Sequence, residues 1–291
     1  MDARPGQPIE GYHLNELCVP TDAPGATEWS KMVYDLSGDT RTVQNEILGN
    51  SFSDNVHPIS RKSLMAICNP ARVLVRDKKD ITPQMIRYAF AGLDWAMEMA
   101  ERKSVKQLKS FTMLTISSWN TATNKMEINF IKRYAERLYD KPEEVIKDII
   151  YWLKAFNVRI IGMDYGVGHK ENQRIADIYG YDRCMEIEYV GEADDIVVWH
   201  ELTNKFCVGR SPIYDDTLDD FLEKGFYSMP RYEGETSEYE QDLTTIYRYS
   251  DPHSRKSRFG KTHPDDFWQN LVYIRLAYLA WAEKLHCVRA D

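Results

Sequence analysis

The sequence predicts an α/β fold in which helices flank a mixed five-stranded sheet, with an inserted hairpin region before the last helix. Short apolar runs rich in β-branched and aromatic residues recur from residue 86 onward, and such runs are typical of strands. Apolar residues spaced three and four apart lie between or after these runs and predict helices. Strands that follow one another closely favour antiparallel pairing, whereas strands reached through helices favour parallel pairing.

The first three predicted strands lie close together in the chain. The run "QMIRYAFAGLDWA" extends into Asp94, and the runs "SFTMLTISSWN" and "KMEINFIKRY" follow it, with a polar turn at residues 121–124 between these two. We therefore expect the first three strands of the sheet to pair antiparallel.

Helices and strands alternate after the third strand. The segment "DKPEEVIKDIIYWLKAFN" begins with the candidate N-cap Asp140, has Pro142 in its first turn and places its apolar residues on one face, so it predicts a helix. The next elements are the strand "VRIIGMD" ending at Asp164, the helix "KENQRIADIYG" closed by Gly180, and the strand "RCMEIEYVG". This order places the end of the first strand beside the end of the fourth.

The region from about residue 194 to residue 263 is predicted to be an insertion before the last helix. It contains a hairpin, "DIVVWHELTNKFCVGR", that turns at residues 203–205, and a helix, "YDDTLDDFLEKG", whose acidic run indicates a solvated face. A second, basic hairpin or loop runs through Arg258. The last helix is predicted to begin at Pro264, because apolar residues then repeat every three or four positions.

The chain of 291 residues is long enough for one large domain or for a domain with an appendage. Residues 1–85 are rich in Pro, Gly, Asn and Asp and predict an N-terminal extension or linker, whereas residues 86–291 predict the core domain. The sequence contains no apolar run long enough to cross a bilayer and no apolar core of a secretory signal. Its five cysteines are scattered singly, which indicates reduced thiols in a cytosolic compartment and no zinc site.

Four aspartates lie at the ends of predicted elements: Asp94 and Asp164 end strands, and the pair Asp265 and Asp266 opens the last helix. Each has a structural explanation on its own, because an aspartate often caps a turn and acids in a first helical turn complement the helix dipole. Together, however, they fall where the order of elements brings them to one place. Converging carboxylates repel one another unless a cation holds them, and Mg²⁺ and Mn²⁺ prefer oxygen ligands. The four aspartates therefore predict a divalent-metal site of the kind that cuts phosphodiesters.

The net charge of −8 is unevenly distributed along the chain. Sixteen acidic and four basic residues lie between Glu186 and Asp242, so this segment has a net charge of −12 and the remainder a net charge of +4. Two basic runs, "ERKSVKQLK" and "SRKSRFGK", could guide a phosphate backbone to the acidic site. On charge alone, solvated loops explain these runs better.

Other candidate site residues carry weaker signals. His169 and His263 are expected near the four aspartates and could contact phosphate or assist protonation, although a surface or capping role explains them equally well. The run Gly260-Lys261-Thr262 resembles the end of a Walker A loop. The first glycine and a preceding strand are missing, so no ATP-binding loop is predicted.

Three of these segments resemble motifs of a known family. "AGLDWA" in the first strand, "IIGMDYGVGHKEN" in the fourth and "HPDDFWQNLVYIRLA" in the last helix are similar to motifs of the C-terminal nuclease domain of bacteriophage terminase large subunits, the DNA-packaging motor proteins. The resemblance covers roughly residues 86 to 285 and implies a ribonuclease H-like fold. "GYHLNELCVP" and "TVQNEILGNSF" resemble the segment that links the ATPase motor to the nuclease in those proteins.

The resemblance implies that Asp94 is the first catalytic and metal-binding acid, that Asp164 is the second, and that Asp265 and Asp266 are the paired acids of the third motif. It leaves open which member of the pair binds metal directly. It implies a metal-dependent endonuclease with two Mg²⁺ or Mn²⁺ ions that hydrolyses double-stranded viral DNA during genome packaging. Expected partners are double-stranded DNA, the terminase ATPase motor domain, the small terminase subunit and the portal protein, in the host cell cytoplasm and without a membrane. The residues expected to contact the DNA backbone are Arg102, Lys103, Lys205, Arg255, Lys256 and Arg258.

Two other functions are compatible with the sequence. Junction resolvases and transposases share the implied fold, so the chain could be another metal-dependent nuclease that acts on DNA. Alternatively, it could be a non-catalytic docking module for a portal or capsid protein, with aspartates that are purely structural. Metal-dependent cleavage of plain linear duplex that is lost in Asp94→Asn would favour the terminase nuclease over both.

Overall fold

The structure of this protein is a computed structural model that describes residues 57–96, 111–134, 141–166, 168–190, 197–250 and 257–290. All of these residues belong to one unit, which spans residues 57–291. Several predicted features lie outside the described residues: the segments "GYHLNELCVP" and "TVQNEILGNSF", the candidate cap Asp140, and the basic residues Arg102, Lys103, Arg255 and Lys256.

The elements of the described residues are numbered in chain order. The strands are β1 (Ala89–Asp94), β2 (Met113–Asn120), β3 (Lys125–Arg133), β4 (Ile160–Asp164), β5 (Cys184–Tyr189), β6 (Val197–His200), β7 (Lys205–Val208), β8 (Tyr227–Ser228), β9 (Ile246–Ser250), β10 (Ser257–Lys261) and β11 (Cys287–Ala290). The α-helices are α1 (Arg61–Ile67), α2 (Pro142–Ala155), α3 (His169–Tyr179), α4 (Arg210–Leu222), α5 (Glu240–Thr244) and α6 (Asp266–Trp281). Among these described helices, none combines the length and the apolar character that crossing a membrane requires.

The main sheet has the predicted centre. β1 pairs antiparallel with β2, and β2 pairs antiparallel with β3. β4 then pairs parallel with β1, and β5 pairs parallel with β4. The order β3-β2-β1-β4-β5 confirms the mixed, ribonuclease H-like sheet. Within the described part of the chain, β7, β6 and β11 extend one edge and β8 extends the other, which makes nine strands.

The predicted hairpin is present, and it lengthens the main sheet. β6 pairs antiparallel with β7, and β7 pairs parallel with β5. The turn ends at Asn204, whose left-handed backbone has a φ of 47° and whose side-chain amide donates to the carbonyl oxygens of Tyr181 and Cys184. Lys205 is therefore the first residue of β7 and not part of the turn. The second, basic hairpin is also present, because β9 and β10 pair antiparallel as a separate two-stranded sheet.

The structure corrects one predicted helix start and one predicted cap. α6 begins at Asp266 and not at Pro264, because Asp265 has a non-helical backbone with a φ of −121° and is the N-cap. α2 is present as predicted, with a proline at its N-terminus and an apolar face. Its N-cap is Lys141, whose side chain makes no capping hydrogen bond, and not Asp140.

Apolar cores cover both faces of the main sheet. Phe90 packs in the core that contains α6, whereas its neighbours Ala89 and Ala91 pack in the opposite core with α2. Because side chains alternate along a strand, Gly92 and Asp94 share the α6 face with Phe90. In α6, every residue from 266 to 278 is buried, so this helix is central to the fold.

The acidic run of α4 forms a solvated face only in part, because Asp216 and Asp219 are exposed whereas another of its aspartates is buried. α4 begins at Arg210, four residues before the predicted start, and Asp220 on this helix is buried. The Asp220 carboxylate accepts a hydrogen bond from Arg275 of α6 at 2.5 Å and lies 3.1 Å from Lys224. Arg275 also lies 3.3 Å from Asp216. This ion-pair network ties α4 to the central helix.

Replacing Arg275 with methionine is expected to destabilise the protein by about 3 kcal/mol, because removing one partner of a buried ion pair leaves the other charge poorly compensated. The matched control is Arg174→Met, which removes an exposed pair with Glu143 and should cost about 1 kcal/mol or less. Thermal unfolding measures both changes. Equal melting temperatures for the two variants would show that the Arg275 pair contributes no more than a surface pair.

Residues 57–85 pack against the main sheet. Ile59 and Leu64 are buried in the core on the α6 side. Arg72 donates hydrogen bonds to the carbonyl oxygens of Ser228 and Ile128, which ties this segment to β8 and β3. The domain boundary between residues 85 and 86 stays a prediction.

Candidate active site

Asp94 and Asp164 end two neighbouring parallel strands. In the pairing of β1 with β4, Leu93 lies beside Met163, so the next residue of each strand is an aspartate. Both aspartates are partly buried, and side-chain alternation puts both of them on the α6 face of the sheet. The first and fourth strands therefore end side by side, as the order of elements predicted.

Two glycines let α6 approach the sheet at the level of the backbone. Gly92 and Gly162 are partners in the register of β1 and β4. A Cβ atom at Gly92 would lie 2.4 Å from the carbonyl oxygen of Asn270, and one at Gly162 would lie 2.7 Å from that of Tyr273. Any side chain at either position would collide with the helix backbone. The spacing Gly-x-Asp in both strands therefore sets α6 beside the two aspartates.

The start of α6 brings the other two aspartates to the same place. Asp266 lies about one turn before Asn270, the residue that contacts Gly92, so it approaches the end of β1. Asp265 and Asp266 are only 1% and 2% exposed. The charges of the other three aspartates all act on Asp94. The structure thus gathers the four aspartates that the sequence singles out, while their catalytic and metal-binding roles stay predictions.

The pKa of Asp94 is raised well above its ordinary value of 3.8. Burial is the largest cause, followed by the negative charge of Asp266 and then by those of the other two aspartates. Lys261 acts in the opposite direction. A carboxyl group in such surroundings is stabilised by a proton or by a nearby cation.

Asp265 is held by partners from three elements. Its carboxylate accepts hydrogen bonds from Lys261 Nζ at 2.5 Å and from Gln269 Nε2 at 2.8 Å. The hydroxyl of Tyr214 donates to the same carboxylate at 3.5 Å. A positive charge and two neutral donors therefore already stabilise this buried carboxylate.

Asp164 and Asp266 accept hydrogen bonds from neutral groups. Asp266 Oδ2 accepts one from the backbone N–H of Phe111 at 2.7 Å. Asp164 accepts one from the backbone N–H of Gly166 at 3.0 Å and one from the hydroxyl of Tyr273 at 3.3 Å. These donors fix the orientation of the two carboxylates.

The four aspartates supply the oxygen donors that Mg²⁺ and Mn²⁺ prefer. Among the described residues, no three side chains of histidine, cysteine, aspartate or glutamate are already arranged around a common metal position. The raised pKa of Asp94 and the ion pair at Asp265 nevertheless mark this edge of the sheet as a place where positive charge is favourable. The residue types and the electrostatics fit a divalent cation.

Two buried tyrosines, one partly buried tyrosine and an arginine near the aspartates were not predicted as site residues: Tyr214, Tyr273, Tyr189 and Arg210. The guanidinium of Arg210 lies 5.5 Å from the ring centroid of Tyr189 and 5.3 Å from that of Tyr214. Burial raises the pKa of all three tyrosines, so their hydroxyls keep their protons. One signal was readable in the sequence, since Tyr273 lies seven residues after Asp266 and therefore on the same face of α6.

The described residues among the predicted DNA contacts lie on the two hairpins. Lys205 pairs with Glu188 at 2.9 Å, and its Nζ lies 4.5 Å from the ring centroid of Tyr165. Arg258 lies on β10, three residues before the lysine that bonds to Asp265. Their contact with DNA stays a prediction.

The two candidate histidines bond to other partners. His169 Nδ1 lies 3.0 Å from Glu186 Oε1. His263 Nδ1 lies 3.0 Å from the hydroxyl of Thr262. Contact of either ring with phosphate also stays a prediction.

Comparison with known proteins finds solved structures that are similar to this chain. No protein-family model and no curated protein sequence matches the chain. Similar solved structures include the HK97 bacteriophage large terminase, which is 14% identical with a TM-score of 0.47. This chain resembles terminase nucleases. The match covers 92% of this chain and 55% of the HK97 protein, so the chain spans little more than half of that protein.

Two isolated terminase nuclease domains are similar over their whole length. The nuclease domain of the large terminase subunit gp2 of bacterial virus Sf6 is 12% identical with a TM-score of 0.46, and the match covers 80% of this chain and 100% of that domain. The human cytomegalovirus terminase nuclease domain, soaked with Mn and with an inhibitor bound, is 12% identical with a TM-score of 0.44. That match covers 79% of this chain and 100% of the other. These likenesses concern the fold.

Proposed function

We propose that this chain is a metal-dependent endonuclease that cuts double-stranded viral DNA during genome packaging, as the nuclease part of a terminase large subunit. The observation that carries the proposal is the meeting of Asp94, Asp164 and the pair Asp265 and Asp266 at the start of α6, at one edge of the sheet. Gathering like charges in a partly buried place is unfavourable, and divalent cations offset that cost.

The metal ligands are proposed to be Asp94, Asp164 and Asp266, holding two Mg²⁺ or Mn²⁺ ions as in two-metal phosphodiester hydrolysis. When bound, such ions lower the pKa of a bound water and stabilise the charge that develops on the leaving oxygen. The carboxylates contribute charge and position, and they need not act as bases.

The chain's own donors hold the proposed ligands in place. The backbone N–H of Phe111 orients Asp266, and the hydroxyl of Tyr273 orients Asp164. Because burial raises the pKa of Tyr273, its hydroxyl stays protonated and keeps donating at neutral pH. Fixed donors of this kind are expected to keep the carboxylates aimed at a common point.

Asp266 is proposed as the direct metal ligand of the pair, and Asp265 as a positioning residue. Asp265 is bonded to Lys261, whereas Asp266 has the largest effect of any charged neighbour on the pKa of Asp94. The carboxylate that raises the pKa of Asp94 most is the better candidate to share a metal ion with it.

Asp266→Asn is therefore expected to lower metal-dependent cleavage by about 100-fold or more, whereas Asp265→Asn should lower it by about 10-fold, as for the loss of an outer-shell group. The two substitutions are matched in chemistry and in burial. Initial rates of plasmid nicking over a range of Mn²⁺ concentrations measure both effects, and only Asp266→Asn should shift the Mn²⁺ concentration needed. A larger loss in Asp265→Asn would reverse the assignment.

Double-stranded DNA is the proposed substrate, bound through its phosphate backbone. Arg258 lies on β10, the strand whose Lys261 bonds to Asp265, and this hairpin is proposed to carry its basic side chain toward the DNA backbone. Lys205 begins β7 on the other hairpin. The ATPase motor domain, the small terminase subunit and the portal protein are proposed partners, in the host cell cytoplasm, on the basis of the resemblance.

Plasmid digestion tests the proposed function. We expect the purified chain to convert supercoiled plasmid to nicked and linear forms with Mg²⁺ or Mn²⁺, and to leave it intact with EDTA. A parallel digestion of linear duplex and of a four-way junction separates a terminase-type nuclease from a resolvase, which would prefer the junction. Cleavage at the same background level with Mn²⁺ and with EDTA would instead support a docking module.

A further inference from the structure

A cavity of about 350 Å³ lies between α3 and the hairpin of β6 and β7, just past the end of β4. This volume is at the lower end of the range for small-ligand sites. Four rings line the cavity: Tyr165, His169, Tyr181 and His200. The proposed mechanism uses none of these side chains.

The rings form a stacking surface that opens to solvent. The ring centroids of Tyr165 and His169 lie 4.9 Å apart at the inner side. Tyr181 is 58% exposed, and its hydroxyl donates a hydrogen bond to Asp177 Oδ1 at 2.6 Å, which holds the ring beside the cavity. Stacking on aromatic side chains is how proteins bind bases of single-stranded nucleic acid without sequence preference.

Polar groups with fixed orientations lie at the inner wall. Glu186 and Asn172 are buried, and the Glu186 carboxylate accepts a hydrogen bond from the Asn172 side-chain amide at 3.0 Å. Glu186 also lies 3.0 Å from His169 Nδ1, while Gln173 Nε2 lies 2.9 Å from the other nitrogen of that ring. These bonds fix the His169 ring as a stacking face, and the carboxylate of Glu186 keeps further lone pairs that could accept from the edge of a heterocycle.

The charges around the cavity disfavour an anionic ligand. The buried carboxylate of Glu186 would repel a phosphate, and the positive charge of Lys205 is paired with Glu188 at 2.9 Å. Burial raises the pKa of the Cys184 thiol to about 12, so this lining group is uncharged. A planar ligand without charge fits these surroundings better than a phosphate does.

The inner wall is linked directly to the proposed metal site. Asn172 donates from its side-chain amide to the carbonyl oxygen of Asp164 at 2.6 Å and accepts from the indole N–H of Trp95 at 2.7 Å. Trp95 follows Asp94 in the sequence, and the cavity residue Tyr165 follows Asp164. Because side chains alternate along a strand, Trp95 and Tyr165 lie on the α3 face of the sheet, opposite the aspartate carboxylates. The ends of β1 and β4 separate the cavity from those carboxylates, so a nucleotide with its phosphate at the aspartates would pass its base round these strand ends to reach the cavity.

We propose that the cavity binds a planar heterocyclic base, taken from an unpaired nucleotide of the DNA strand beside the cut. The assignment of the base to DNA rests on the proposed function, whereas base binding itself rests on the cavity. A base that leaves the duplex loses its stacking, and the rings of the cavity replace those contacts. A free nucleotide offers the same heterocycle, so the test includes one.

The test uses two duplexes of one sequence, one with a 2-aminopurine opposite an abasic site and one fully paired. Binding to the full chain is measured in EDTA, which prevents cleavage. We expect wild type to bind the unpaired-base duplex more tightly and to quench its 2-aminopurine emission by stacking. Tyr181→Ala should weaken that binding about 10-fold, as for the loss of one base–aromatic contact, and should leave the paired duplex unaffected. Displacement of the probe by dAMP would support the base site and identify free nucleotide as its occupant.

Tyr151→Ala on α2 is the matched control, because Tyr151 is 48% exposed and lies outside the cavity lining. Equal wild-type affinity for the two duplexes, or the same loss in both tyrosine variants, would overturn the base site. Plasmid nicking by wild type with Mn²⁺, run alongside, separates this inference from the proposed function. Plasmid nicking by a protein that binds both duplexes equally would overturn only the base site. Tighter binding of the unpaired-base duplex by a protein that does not nick plasmid would overturn only the proposed nuclease function.

Discussion

Asp94→Asn is expected to lower metal-dependent DNA cleavage by about 100-fold or more, because it removes a carboxylate from the proposed metal site. The same change should raise the melting temperature of the metal-free protein at neutral pH. The folded-state pKa of Asp94 lies well above 3.8, so the folded protein holds this proton more tightly than the unfolded chain. The stability that this tighter proton binding contributes is lost as the pH rises through the folded-state pKa of Asp94. An asparagine amide stays uncharged and avoids that loss.

The control for this prediction is Asp219→Asn, which removes an exposed carboxylate of α4. Cleavage and melting temperature should both match wild type in this variant. Scanning calorimetry at several pH values, with and without Mn²⁺, measures the stability of each protein. We expect the advantage of Asp94→Asn to shrink toward acidic pH and the stabilisation by Mn²⁺ to disappear. Undiminished cleavage in Asp94→Asn, with the fold intact, would contradict a role of Asp94 in the reaction.

Gly92→Ala is expected to destabilise the protein by about 3 kcal/mol or more, because the added methyl group would enter the backbone of α6. A Cβ atom there would lie 2.4 Å from the carbonyl oxygen of Asn270 and 2.8 Å from its Cα, and neither atom can move as the end of a side chain can. The melting temperature should fall by about 6–12 °C. Cleavage by the remaining folded protein should also fall, because α6 carries Asp266 toward Asp94.

Gly225→Ala separates a steric clash from backbone strain. Gly225 has a φ of +58°, and a Cβ atom there would meet no other atom within 4 Å. Alanine at this position is expected to cost only about 1 kcal/mol, from the left-handed backbone alone. Similar melting temperatures for Gly92→Ala and Gly225→Ala would mean that α6 moves away from β1 at little cost.

The central strands and the four aspartates were predictable because their signals are local. Among the central five strands, β1 and β4 are mainly apolar runs and β3 and β5 alternate apolar and polar residues, while the helices α2 and α3 between the later strands have clear periodicity. Chain order and helical crossovers then determine which strands pair in parallel, which places Asp94 beside Asp164. The close approach of α6 to the ends of β1 and β4 also has a local signal, because a glycine stands two residues before each of these aspartates.

The remaining features depend on contacts between distant segments, and no local pattern encodes them. β8 and β11 are short edge strands of two and four residues, too brief to produce a recognisable period. Asp220 lies in an acidic run that is typical of a solvated helix, and only its partner 55 residues away explains its burial. The cavity tyrosines lie on separate elements, and they line one space only after the hairpin has joined the sheet.

Anomalous diffraction from a crystal of this chain soaked in MnCl₂ would show whether Asp94, Asp164 and Asp266 share divalent cations. We expect manganese peaks within coordination distance of these three carboxylates, and we expect the peaks to disappear in Asp94→Asn crystals soaked in the same way. Carboxylates that point apart in a fully soaked crystal, with manganese bound elsewhere or nowhere, would contradict this shared metal binding.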